Sequence, residues 1–188
     1  MARQELTVMD VQRLLTSRDS FQRARAEKFF RPSDTARPEV VKKFHPSLNL
    51  KGSAERGHAI YLTRCASCHR TGGEGFAVGP DLASVVNGGK EKLLTSIFDP
   101  NAEVAAAYVA YSIETKSGES FLGVLAGENS SAVMLKVPNG ETVHIARENI
   151  SSLRASDKSL MPDGLEEGLS EQDVADLLEF VTQAKPPL

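Results

Sequence analysis

Both cysteines of the chain fall in one short stretch, Cys65-Ala66-Ser67-Cys68-His69. No other feature restricts the fold as strongly. Two thiols on one helical turn can add to the two vinyl groups of a single porphyrin. The histidine directly after the second thiol then lies under the iron and can give it an axial nitrogen. C-x-x-C-H is the attachment signature of a c-type haem. Two other chemistries use similar residues. A redox-active C-x-x-C needs a preceding strand in a βαβ setting, and what precedes Cys65 reads as helix. A structural zinc site takes four Cys or His ligands; Cys65, Cys68 and His69 fall one short, and there is no second C-x-x-C.

The rest of the composition fits a globular chain that could carry such a group. Of 188 residues, 40% are apolar and 25% charged, the balance of an ordinary folded domain. No apolar run reaches the 18 residues of a membrane span. The net charge of −3 hides an asymmetry. Residues 1–56 carry 12 Lys/Arg against 7 Asp/Glu, and the remainder 10 against 18. The basic part lacks aromatic–basic stacking patterns and nucleic-acid motifs, so it reads as a solvated helical surface. The acidic part is suited to steering a basic redox partner. Covalent haem attachment takes place outside the cytoplasm, yet Met1-Ala2-Arg3-Gln4-Glu5-Leu6 lacks the apolar core of a secretory signal. The chain is therefore expected to be a piece of a longer precursor that works in the periplasm or another extracytoplasmic compartment.

Along the chain, Val8, Val11, Leu14 and Leu15 recur at helical spacing within residues 5–31, and a second helix starts near Ser17 or Asp19. Pro32, Ser33 and Asp34 read as a break. Pro38 suits the first turn of a short helix through Phe44. Residues 45–52 read as an extended linker, which puts a boundary between a helical extension (1–50) and the main domain (51–188). Ser53 is the expected N-cap of the helix entering the motif. Gly57 inside that helix costs about 1 kcal/mol relative to alanine, so it is expected where another helix comes close. After His69 the chain is glycine-rich: Gly72, Gly73, Gly75 and Gly79 precede Pro80-Asp81-Leu82. A loop with so few side chains can wrap a flat ligand. A helix follows from Gly89 to Phe98. Residues 108–154 then change to strand period, with turn signals at Lys116-Ser117-Gly118-Glu119, Gly127-Glu128-Asn129-Ser130 and Pro138-Asn139-Gly140-Glu141. Four or five strands at this spacing make a small antiparallel sheet or barrel-like module. The last helix starts at Ser170, capped with Asp173, and Lys185-Pro186 end it.

A six-coordinate haem needs a partner for His69. Met1 is terminal, and Met9 and Met134 sit in apolar patterns that read as core. Met161 stands in a loop, and Pro162 biases it towards an extended backbone that can project its side chain into a pocket. It is the preferred sixth ligand, making His69 and Met161 the metal ligands. His45, His58 and His144 read as solvated or hydrogen-bonded histidines.

Together these residues resemble class I c-type cytochromes over about 53–107 and 155–185. The features that carry the likeness are Gly57 to Tyr61, Cys65/Cys68/His69, Gly79-Pro80-Asp81-Leu82, Met161-Pro162 and Phe180. The resemblance implies a mainly α fold in which the first and last helices cross at Gly57 and Phe180. It also implies that the Pro80 carbonyl orients the His69 ring, which adds Pro80 to the cofactor-binding set of Cys65, Cys68, His69 and Met161. The long gap between Pro80 and Met161, filled by the β module, departs from that family's compact path. Over residues 38–185 the arrangement is similar to the haem-binding domain of planctomycete- and verrucomicrobial-type multidomain dehydrogenases, in which a β insertion precedes a segment like Ser159-Leu160-Met161-Pro162-Asp163-Gly164-Leu165. The function this implies is one-electron transfer through a single covalent haem c, serving a redox partner protein or a fused dehydrogenase domain, with no catalytic residues of its own. The alternative is a haem enzyme or gas sensor with an open or displaceable sixth position.

Overall fold

The computed structural model describes residues 13–14, 17–30, 36–156 and 158–184. The helical stripe at Val8 and Val11, Met1 and Met9, the break at Pro32–Asp34, and Lys185 lie outside the described residues. The helices are α1 (Ser20–Phe30), α2 (Pro38–Phe44), α3 (Ala54–Arg64), α4 (Leu82–Val85), α5 (Gly89–Phe98) and α6 (Glu171–Thr182). The strands are β1 (Arg70–Thr71), β2 (Glu74–Gly75), β3 (Ala110–Thr115), β4 (Ser120–Glu128), β5 (Ala132–Lys136), β6 (Thr142–Ala146) and β7 (Ile150–Ala155). By packing, the chain divides into two compact units. Among the described residues, one gathers 36–100, 138–140 and 161–184; the other gathers 17–30, 101–137 and 141–160.

The first unit is helical. Pro38 opens α2, where its missing N–H costs nothing. The chain does not then become an extended linker. It continues into a 3-10 turn, His45–Asn49, with Pro46 in its first turn. Packing overrides the linker signal: Phe44 is 1% exposed, its ring lies tilted 4.9 Å from that of Phe98, and Leu48 joins the same core. Tyr61 from α3, Leu93 and Leu94 from α5, and Val174, Leu177, Leu178 and Val181 from α6 complete that core.

α3 and α6 cross closely. Ser53 caps α3 by accepting from the Arg56 N–H, and Ser170 and Asp173 form a reciprocal capping box at the start of α6. At the crossing, a Cβ on Gly57 would lie 2.8 Å from the Phe180 Cβ and still closer to the Asp176 backbone. Phe180 in turn packs 5.2 Å from the Tyr61 ring.

The second unit is built on a five-stranded antiparallel sheet in the order β6-β5-β4-β3-β7. Tyr111, Ile113, Val133, Leu135 and Ile145 form its own core. This is more strand than a mainly α fold with a small β insertion implies. β4 runs through Gly123 and on past the expected turn at Gly127 to Glu128, which adds to the strand content. Gly123 is needed there, because a Cβ would lie 2.5 Å from the Lys136 carbonyl oxygen on β5. The first and last strands are neighbours: Tyr111 faces Ala155, and the Ser156 N–H donates to the Ala110 carbonyl at 2.8 Å. Just outside them, the Ser159 N–H donates to Asn101 Oδ1 at 2.8 Å. The chain therefore enters and leaves this module at one place. α1 also belongs to this unit by packing, and Asp19 caps it by accepting from the Phe21 and Gln22 N–H groups.

Candidate functional site

The motif is one further turn at the end of α3. The Cys65 N–H donates to the Tyr61 carbonyl at 2.8 Å, and the Cys65 carbonyl accepts from Cys68 N–H at 3.0 Å and His69 N–H at 2.8 Å. That turn brings Cys65, Cys68 and His69 together. Tyr61, fully buried, pins the turn from beneath: its hydroxyl lies 2.8 Å from the His69 carbonyl and 3.0 Å from the Glu74 carbonyl.

The glycine-rich stretch is more ordered than a flexible wrap. β1 and β2 pair as a hairpin around Gly72 and Gly73, both at positive φ (57° and 90°), as a two-residue turn of this kind requires. The strand then folds back along the motif. Phe76 N–H donates to the Ala66 carbonyl, and Val78 and Gly79 N–H donate to the Cys68 carbonyl at 3.0 and 2.8 Å. Gly75 sits at φ 77° where a Cβ would strike the His69 carbonyl and the Tyr61 hydroxyl. From another part of the chain, the Asn139 N–H donates to the Ser67 carbonyl at 2.7 Å.

His69 is held on two sides. Its Nδ1 lies 2.9 Å from the Pro80 carbonyl. A carbonyl can only accept, so Nδ1 carries the proton and Nε2 keeps the lone pair. Gly79 lies against the ring, where a Cβ would come within 2.6 Å of Cε1. Burial lowers the His69 pKa from its usual 6.5, and the bond to Pro80 opposes that only in part. The imidazole is therefore neutral at pH 7, the state in which it can bind a metal.

Residues 54–119 match the cytochrome c family. The match supports a c-type cytochrome domain in this chain, and a cytochrome c domain implies covalently bound haem c. The matched stretch takes in the motif, the Gly79–Leu82 segment, α5 and the first strand of the sheet; Met161 and α6 lie beyond it. No curated relative matches the chain.

The donor set fits the cytochrome c cofactor. Cys65 and Cys68 are both unbridged and partly buried on one turn. Burial pushes the Cys65 thiol up to about 11, with the Arg64 charge opposing it, so it rests as a neutral thiol. Met161 belongs to the same packing unit and is half-buried at the start of the loop before α6. A side chain links that loop to the motif: Arg64, the last residue of α3, donates through Nη1 to the Leu165 carbonyl at 3.0 Å and through Nη2 to the Glu167 carbonyl at 2.9 Å. Nothing in the sequence marks Arg64, because its acceptors are backbone atoms about a hundred residues away.

The other histidines lie elsewhere. His58 pairs with Glu74 at 2.6 Å, His45 is exposed, and His144 is exposed on β6. Met134 lies on β5. A cleft of about 400 Å³ beside His58, Glu74 and Phe180 contains none of the expected site residues. Among the described residues no helix is long and apolar enough to cross a membrane, and no cluster of His, Cys, Asp or Glu forms a separate metal site.

Proposed function

We propose that this chain carries single electrons on a haem c attached through Cys65 and Cys68, with His69 and Met161 as its axial ligands. The observation that carries the reading is the His69–Pro80 arrangement. A neutral ring with its Nδ1 proton on a carbonyl, its motion blocked by Gly79, presents Nε2 in a fixed direction. An outer partner of this kind fixes ring orientation and raises ligand basicity. When bound, the haem supplies a one-electron iron couple, which a methionine ligand keeps at a raised potential.

The chain's own residues do the rest. Tyr61, Gly75 and the Cys68 carbonyl hold the motif turn rigid, so little reorganises around the ligand when charge changes. Burial keeps the imidazole neutral, and the Pro80 carbonyl keeps it aimed. Met161 would be the second residue to hold the iron and would so deny that place to a substrate, which favours transfer over catalysis. The likeness of 159–165 to the segment found in multidomain dehydrogenases supports a further step: this is the electron-transfer module of a larger extracytoplasmic dehydrogenase, exchanging electrons with the fused dehydrogenase domain or a redox partner protein.

The oxidised holoprotein is expected to show the weak near-infrared band of an iron–thioether bond. Met161→Ala should abolish that band and let the reduced protein bind carbon monoxide. A wild type without the band that binds carbon monoxide rapidly has an open sixth position, and the electron-carrier reading then gives way to a gas-binding or catalytic one.

A further inference from the structure

We infer that Arg64 is a positioning residue for the sixth ligand: its guanidinium ties the helix bearing Cys65-Cys68-His69 to the loop that begins at Met161. The inference rests on Met161 as that ligand.

The loop between Met161 and α6 is held by side chains from outside it as well as by its own turns. It contains no regular element, and it turns at Gly164 and Gly168, both left-handed at φ 90° and 75°. Its backbone bonds include two short turns, Glu167 N–H to the Gly164 carbonyl and Leu169 N–H to the Glu166 carbonyl, both 3.0 Å. The bonds from Arg64 to the Leu165 and Glu167 carbonyls span that turn. A planar guanidinium can satisfy two carbonyls at once, whereas an ammonium is a point donor on a flexible stem. Arg64 immediately precedes Cys65, so the clamp starts from the segment that carries the proximal ligand.

A second, independent hold acts on the same loop. Glu166 forms an ion pair with Arg37, whose Nη1 lies 3.1 Å from Glu166 Oε2 and also donates to the Phe98 carbonyl at 3.4 Å. That bond holds the Glu166 carboxyl below the usual range against the opposing effect of burial. Arg37 anchors the loop to α5, and Arg64 anchors it to the haem helix. Losing the Arg64 clamp should therefore loosen the loop and its methionine while the core stays folded.

The test uses the holoprotein and its Arg64→Ala, Arg64→Lys and Met161→Ala variants, with haem content equalised by pyridine haemochrome. Two signals are followed on heating: the near-infrared iron–thioether band and far-UV circular dichroism. Carbon monoxide association is measured on the reduced forms. In the wild type the two thermal transitions should coincide. In Arg64→Ala the band should vanish several degrees before the helices melt, and carbon monoxide should bind about tenfold faster, the scale of one hydrogen bond to a charged group. Arg64→Lys, which keeps the charge and the stem, should fall between them and serves if the alanine variant fails to fold. Coincident transitions and an unchanged carbon monoxide rate in the folded Arg64 variant overturn the inference while leaving methionine ligation standing. A wild type without the band, or a band that survives in Met161→Ala, overturns the ligation and the inference with it.

Discussion

The imidazole of His69 is fixed by residues on either side of the Gly79-Pro80 bond. Pro80 contributes through its carbonyl and Gly79 through the lack of a side chain. Gly79 has an ordinary backbone conformation, so the cost of adding a methyl is steric alone. In Gly79→Ala the new Cβ would lie 2.6 Å from His69 Cε1, and the ring or the loop has to move. Overpacking of this kind costs about 1–3 kcal/mol. We expect the denaturation midpoint to fall by a matching amount and the haem absorbance to shift as the ring tilts. An alanine variant with wild-type stability and spectrum would show that the ring is not held from this side. Of these contacts, Cys65, Cys68 and His69 were legible in the sequence because attachment chemistry fixes their spacing. Pro80 was reachable only through a family likeness. Tyr61 belonged to the same likeness but its role was hidden, as was Arg64, because each acts on backbone carbonyls, which leave no residue-type signal.

At the scale of elements, the crossing of α3 and α6 joins the two ends of the haem unit. Asp176 is fully buried there and accepts from the Ser53 N–H at 2.7 Å, from Arg56 at 2.5 and 2.9 Å, and from Gln172 at 2.9 Å. Burial pushes its pKa up, but the bonds from Arg56, Gln172 and Ser53 together outweigh it and hold the carboxyl below the usual 3.8. A depressed folded pKa means that this group's stabilisation is complete above the unfolded value. It is lost as pH falls from 3.8 through the folded value. The outer part of the Arg56 guanidinium stays in water, so its share is screened. Asp176→Asn is expected to cost about 1–3 kcal/mol at pH 7 by leaving buried donors poorly matched. Urea melts at stepped pH should show the gap from wild type narrowing below 3.8; a constant gap would mean that the charge of Asp176 contributes nothing. The capping box and the helix periods that build this crossing could be read from sequence. The buried aspartate could not, since a charged residue beside Val174 and Leu177 reads as part of the solvated face.

For the whole molecule, the question is how a chain whose residues 54–119 match the cytochrome c family accommodates about fifty residues of sheet between Pro80 and Met161. The strand pairing answers it. β3 and β7 are antiparallel neighbours, so the entry and exit of the module lie about 5 Å apart. Asn101 and Ser159 are joined by a hydrogen bond just outside them. Chain continuity from Pro100 to Asn101 and from Leu160 to Met161 then returns the methionine to where the helical path left off. The sequence showed strand period here but not that the ends meet, because pairing of distant segments is a tertiary choice. Replacing residues 102–158 by a two-glycine link should therefore leave a protein that attaches haem and keeps the iron–thioether band. Residues 138–140, which belong to the helical unit, go with that stretch, and with them the Asn139 N–H bond to the Ser67 carbonyl and the packing of Gly140 against the Phe76 ring. Loss of one such bond is worth about 1 kcal/mol, so the deleted form should melt a few degrees earlier while its spectrum is retained. If haem attaches but the band is gone, the sheet is needed to seat Met161. In that case the module works as part of the haem site, not as a graft closed on itself.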